Sequence, residues 1–224
     1  MGEIMKVYGE TVFDIGYLLI AFIIGLYMLA KSEDKLDKLM EIAILILGCG
    51  DAFHLVPRIL NYFVDGDFSA ALGIGKLVTS VTMTIFYIFM FYIYRNNYKV
   101  NNTQKLEYTI WTLAIIRIIF CLLPQNNWIT NNGSVTIGII RNIPFLLIGL
   151  VIIILYFRER KNDKVFQNTW LYVLLSFLFY IPVVVGASAT PALGMLMLPK
   201  TVCYILIIKS FYRKMKNENI MSKK

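Results

Sequence analysis

The chain has 224 residues, of which 58% are hydrophobic and only 16% are charged, and its formal net charge is +8 at pH 7. A soluble domain of this length does not need so many apolar residues, so the composition indicates an integral membrane protein. The three cysteines lie in apolar stretches, and their spacing is not typical of a zinc site or of a disulfide framework.

Seven apolar segments are each long enough to cross a bilayer, which takes about 17–25 residues. We therefore predict an all-α bundle of seven transmembrane helices in a single membrane domain over residues 1–212, followed by a basic cytoplasmic tail over residues 213–224. The fourth segment is the weakest because Arg117 interrupts it, and the turn "GASATPALG" separates the last two. The count would be six if the fourth segment did not cross the membrane, or if the last two segments formed a single crossing. The helices are expected at about 11–30, 39–60, 73–94, 106–124, 135–157, 168–187 and 191–211.

The charges of the connections predict an orientation. Sixteen Lys and Arg residues lie in "KSEDKLDK", "RNNYKVNNTQK", "RERKNDK" and the tail from Lys209, whereas the alternate connections carry none. Because Lys and Arg concentrate in cytoplasmic loops, this asymmetry predicts an N-terminus outside and a C-terminus in the cytoplasm. The basic excess is thus a topology signal, and it does not indicate nucleic-acid binding.

The acidic start "MGEIMKVYGETVFD" is unlike a cleavable signal peptide, so we expect the first helix to be retained. Frequent Ile, Asn and Lys favour a bacterial plasma membrane.

Charged residues inside the predicted helices mark a candidate site. With this orientation all five intramembrane cations lie at the midplane or in the outer half, and Asp51 and His54 share one face of helix two with Arg58. Charges at this depth cost several kcal/mol, about 3 or more, unless they face a partner or a cavity. We therefore predict an outward-facing, cation-rich pocket built by helices two, three, four, five and seven. The expected ligand-binding residues are Asp51, His54, Arg58, Lys76, Arg117, Arg141 and Lys200.

Arginine suits carboxylates and phosphates, so the expected ligand is an anionic or zwitterionic small molecule, amphipathic metabolite or lipid headgroup. The protein would be a transporter, with Asp51 and His54 coupling protons, or a receptor with a signalling partner. No metal or cofactor is expected, and the partners are membrane lipids and possible further copies of the chain. Two structural alternatives remain open. Arg58 and Lys76 could snorkel to the headgroups, and Asp51 could pair with Lys200 or Arg117 to lock helices together.

An intramembrane enzyme acting on a lipid is the alternative function, with His54 as acid–base catalyst and Asp51 as its orienting partner. Here "DAFHL" resembles the S-x-x-x-H element in helix two of the alkaline ceramidase and adiponectin-receptor superfamily of zinc hydrolases. That superfamily uses three histidines on zinc, whereas this chain has one, which excludes such a site.

A retinal protein is a third alternative, because Lys200 lies midway along the predicted helix seven, where the Schiff-base lysine would be expected. Helix three, however, carries no acid to act as the counter-ion.

Four prolines are also predicted inside helices, where each removes a backbone hydrogen bond and permits a kink. These prolines are Pro57, Pro144, Pro182 and Pro199.

Overall fold

A computed structural model describes residues 2–221, with side chains at residues 4–190 and 192–217. Over that range the chain is helical and contains no β-strand, which confirms the all-α part of the prediction. Residues 222–224 of the predicted tail lie outside the described residues. The helices are α1 (Gly2–Lys31), α2 (Lys35–Phe63), α3 (Ser69–Asn97), α4 (Gln104–Leu122), α5 (Val135–Glu159), α6 (Thr169–Gly186) and α7 (Met197–Met221), with short 3₁₀ turns at Pro124–Asn126 and Pro191–Leu196.

Six of the described helices are long and apolar enough to cross a membrane: α1, α2, α3, α5, α6 and α7. The molecule is therefore a membrane-spanning helical bundle by length and composition. Helix α4 falls outside this group, because its 19 residues include Lys105, Glu107 and Arg117.

The helices form a closed ring in chain order. Each helix packs against the next one along the chain, and α1 packs against α7. Two further contacts cross the interior, between α3 and α5 and between α2 and α7. Helix α3 is the most enclosed of the spanning-length helices, so its residues supply much of the core.

One end of the ring carries the basic connections. Helices α1, α3 and α5 finish there with Lys31, Arg95 and Arg158 in their last turns, where a cation interacts favourably with the helix dipole. The opposite end is formed by the α2–α3, α4–α5 and α6–α7 connections. The charge asymmetry of the sequence therefore corresponds to the two ends of the folded bundle.

Three of the four prolines lie in helix interiors as predicted: Pro57, Pro144 and Pro182. Pro199 also lies in the predicted helix, but not in its interior. Residues 191–196 form a 3₁₀ turn, so α7 begins only at Met197 and Pro199 lies in its first turn. An N–H at that position has no intrahelical partner in any case, so this proline removes no hydrogen bond.

Helices α2 and α3 approach each other closely through glycines. A Cβ atom on Gly75 would collide with the backbone of Phe53 and His54, and one on Gly50 would collide with the side chain of Thr82. The Thr79 hydroxyl donates to the Gly50 carbonyl across this contact at 2.9 Å. The close packing fixes the position of His54 relative to α3.

Candidate functional site: a cationic cavity

A cavity of about 340 Å³ opens at the end of the bundle that carries the α4–α5 and α6–α7 connections. Its lining includes four cationic side chains and the single histidine of the chain, and we call it the cationic cavity. Lys76, Ser134 and Ser188 are exposed at its rim, whereas Arg117 and Lys200 are buried. No Asp or Glu occurs among the described residues that line it. The basic lining residues are His54, Lys76, Arg117, Arg141 and Lys200.

Arg117 is the deepest cation of the cavity. It is only 2% exposed, and its guanidinium carbon lies 3.4 Å from the centre of the Phe145 ring. Its Nε and Nη1 atoms are buried and have no hydrogen-bond partner among the described residues. A buried polar group without a partner costs free energy, so these two nitrogens are unsatisfied, although the Cys121 side chain interacts with the same guanidinium.

Arg141 is positioned by the connection between α4 and α5. Its Nη1 atom donates to Oδ1 of Asn126 at 2.6 Å, and its guanidinium stacks on the Trp128 ring at 4.4 Å. The Asn126 amide in turn donates to three carbonyls at the end of α4. Those carbonyls lack helical partners, so Asn126 both caps α4 and orients Arg141. No acid neutralises the Arg141 charge within the described ion pairs.

Of the two lysines, Lys200 is buried inside the cavity and Lys76 is exposed at its rim. Lys200 is buried beside aromatic rings, with its Nζ atom 4.4 Å from the Tyr180 ring centre and 5.5 Å from that of Tyr204. Lys76 donates to Asn131 Oδ1 at 2.7 Å at the rim. Neither lysine makes a direct ion pair with a described carboxylate. Asp51 is nevertheless close enough to Lys200 for electrostatic attraction, which is the pairing considered from the sequence in a weaker form.

Asp51 and Arg58 do not line the cavity, because both turn toward α1. Asp51 accepts a hydrogen bond from the Tyr17 hydroxyl at 2.6 Å. Arg58 makes an ion pair with Asp14 at 2.7 Å and lies 3.8 Å from Glu10. The structure therefore brings five of the seven predicted site residues together and places these two in a separate polar contact between α1 and α2.

The acid–base pair of the enzyme hypothesis is not formed in this arrangement. Asp51 bonds to Tyr17, and the Nδ1 atom of His54 is buried without a hydrogen-bond partner. His54 instead lines the cavity, and the cations that act on it electrostatically are Lys76, Arg58 and Lys200. In the described part of the chain, no group of three His, Cys, Asp or Glu side chains could hold a metal ion.

Sequence reasoning missed several uncharged residues of the site. Helix α6 was not expected to contribute, yet Tyr180 lines the cavity and donates to Asn142 at 3.0 Å. An amide beside Arg141 in the apolar run "GIIRNIPF" is a signal that could have identified Asn142. Asn126 offered no such signal, because its role depends on how the connection folds back onto α4.

Comparisons with protein-family models, with curated proteins and with solved structures gave no match.

Proposed function

We propose that this protein crosses the membrane seven times with its N-terminus outside, and that the cationic cavity binds an anionic or zwitterionic small molecule or lipid headgroup. The observation that carries the proposal is the buried guanidinium of Arg117, which keeps two unpartnered nitrogens in a cavity whose described lining has no carboxylate. A bound anion would supply the missing acceptor and offset the cost of burying the charge.

The chemistry of the lining favours a carboxylate or a phosphate. Guanidinium groups bind both in a two-pronged geometry, and Arg117 and Arg141 enter the cavity from neighbouring helices. The volume of about 340 Å³ lies within the range of about 300–1,000 Å³ that is usual for small-molecule sites. The ring of Phe145 provides an apolar surface beneath the charged group.

The charge of the connections supports an outward-facing cavity. The cavity opens at the end of the bundle whose connections contain no Lys or Arg, and such connections are typical of the outer side. Helix α4 would complete a seventh crossing, with Arg117 directed into the bundle rather than to lipid. The protein would then act as a transporter, or as a receptor with a signalling partner, since its connections are too short to hold an output domain.

The test compares arginines inside and outside the cavity. Native mass spectrometry of the purified protein should show an anionic species that remains with the wild type and is lost from Arg117→Met and Arg141→Met. Arg158→Met, at an exposed position of the same helix as Arg141, serves as the matched control and should retain it. The proposal fails if the wild type holds no anion, or if the control loses it to the same extent.

A further inference from the structure

A second, smaller depression lies between α5 and α6, on the outer surface of the bundle. It encloses about 50 Å³ and has a lining that is almost entirely aliphatic. Ile143 of α5 and Val185 of α6 are 49% and 54% exposed there, so this surface faces the hydrocarbon of the bilayer rather than the protein interior. We call it the α5–α6 groove. Its apolar lining residues are Ile139, Ile143, Leu146, Ile181, Val184 and Val185.

The groove and the cationic cavity adjoin each other and share part of their walls. Asn142, Tyr180 and Val184 line both spaces. The hydroxyl of Tyr180 donates to Oδ1 of Asn142 at 3.0 Å, and this hydrogen bond joins α6 to α5 at the boundary between them. On the cavity side, the Tyr180 ring also contacts Lys200 at 4.4 Å. This hydrogen bond, together with Val184, therefore lies between the cationic cavity and the lipid-facing groove.

Both helices contain a proline beside this boundary. Pro144 follows Asn142 by two residues and Pro182 follows Tyr180 by two residues, each inside its helix. A proline in a helix interior removes one backbone hydrogen bond and permits a bend at that point. The α5–α6 wall is therefore locally weakened on both sides of the Asn142–Tyr180 hydrogen bond.

We infer that the ligand of the cationic cavity is an anionic amphiphile with one hydrocarbon chain, whose headgroup lies among Arg117, Arg141 and Lys200 while its chain leaves through the α5–α6 groove into the bilayer. This inference rests on the proposed function and adds the substrate class. A small water-soluble anion would use the cavity alone, whereas an amphiphile needs a charged space beside an apolar exit to the hydrocarbon, here reached past the Asn142–Tyr180 hydrogen bond.

The experiment compares two probes that share a phosphate headgroup: oleoyl lysophosphatidate, which has one chain, and glycerol 3-phosphate, which has none. Binding to the full-length protein is measured by native mass spectrometry, and oleate and acetate repeat the comparison for a carboxylate. For at least one headgroup, the chain-bearing probe should bind the wild type at least tenfold more tightly than its short counterpart.

Two variants fill the groove from opposite walls, Ile143→Trp and Val185→Trp. Each should reduce binding of the chain-bearing probe at least fivefold and leave binding of the short probe unchanged. The matched control is Leu147→Trp, an exposed position of α5 outside the groove, which should change neither.

The possible failures are distinguishable. If the wild type binds none of the four probes, the anion cavity itself is refuted and the inference is refuted with it. If long and short probes bind equally, the cavity stands and the amphiphile inference is overturned. An equal effect of Leu147→Trp and Ile143→Trp would likewise overturn it, because the groove would then not be the path of the chain.

Discussion

Two arginines of this protein show how differently one side chain can be used inside a membrane bundle. Arg58 lies between α1 and α2 and pairs with Asp14 at 2.7 Å, so its charge is neutralised locally. Arg117 lies in the cationic cavity over the Phe145 ring, with two nitrogens unpartnered among the described residues. The ion pair of Arg58 stabilises the packing of α1 against α2, whereas two hydrogen-bond donors of Arg117 remain unsatisfied.

Replacing each arginine by methionine should therefore have opposite effects on the ligand-free protein. Arg58→Met leaves Asp14 buried without its cation and should lower the free energy of unfolding by about 2 kcal/mol. Arg117→Met removes an uncompensated buried charge and should leave that free energy unchanged or raise it by up to about 2 kcal/mol. Unfolding in detergent after ligand removal measures both. A large loss of stability in Arg117→Met would mean that this arginine has a structural partner.

A loop carboxylate at the basic end of the bundle gives a pH-dependent contribution to stability. Burial by itself raises the pKa of Asp163, but hydrogen bonds from the Val165 amide and Asn97 and the nearby Lys214 ammonium outweigh it. The pKa of this carboxyl in the folded protein is therefore below its ordinary value of 3.8. Its contribution to stability is complete above that pH and is lost as the pH falls through the folded-state pKa.

Asp163→Asn should consequently be less stable than the wild type at pH 7, and the difference should shrink as the pH is lowered below about 4. Thermal unfolding of both proteins between pH 3 and pH 7 measures this difference. Asp65→Asn, at an exposed position in the α2–α3 connection, is the control and should show little difference at any pH. A difference for Asp163→Asn that stays constant with pH would contradict the assignment.

At the scale of elements, the α2–α3 contact depends on the absence of a side chain at Gly75. A methyl group there would meet the Phe53 carbonyl and the His54 backbone, so Gly75→Ala must push the two helices apart. The free energy of unfolding should fall by about 1–3 kcal/mol. Gly16→Ala in α1 is the control, because nothing lies within 4 Å of the added methyl group and alanine is the better helix former.

Equal stability of Gly75→Ala and Gly16→Ala would show that α2 and α3 are not in contact at this point. Because His54 borders the same contact, Gly75→Ala should also weaken anion binding in the native mass spectrometry assay.

The sequence predicts where the helices lie along the chain better than it predicts which neighbouring helix each polar side chain contacts. Long apolar segments identify all seven described helices, since burial or lipid contact is the main requirement on those residues. The bounds were less accurate: α1 begins at Gly2 rather than at residue 11, and α7 runs over Met197–Met221 rather than over residues 191–211. The shared stripe of Asp51, His54 and Arg58 on α2 was also visible. This stripe lies between two neighbouring helices, so whether a residue turns to α1 or to the cavity depends on tertiary packing that helical spacing does not encode.

At the scale of the whole molecule, the proposed seven crossings give each connection a definite side. In a cysteine-free background, Asn132→Cys should react with a membrane-impermeant maleimide in intact cells. Asn101→Cys and Lys161→Cys should react only after permeabilisation. Asn101 precedes α4 and Asn132 follows it. The comparison therefore tests whether α4 crosses the membrane, although it is not among the six helices that are apolar enough by composition. Labelling of Asn101 and Asn132 from the same side would refute that crossing.

The contact between α1 and α7 has a consequence for how the molecule is made. During synthesis α7 emerges from the ribosome after α1–α6. The flank of α1 that contacts α7 therefore stays uncovered until α7 is inserted. Lys200 also arrives only with α7, which means that no truncated product can hold a complete cavity. Closure of the ring and completion of the cationic cavity are thus one event in biosynthesis, and it takes place when α7 docks against α1.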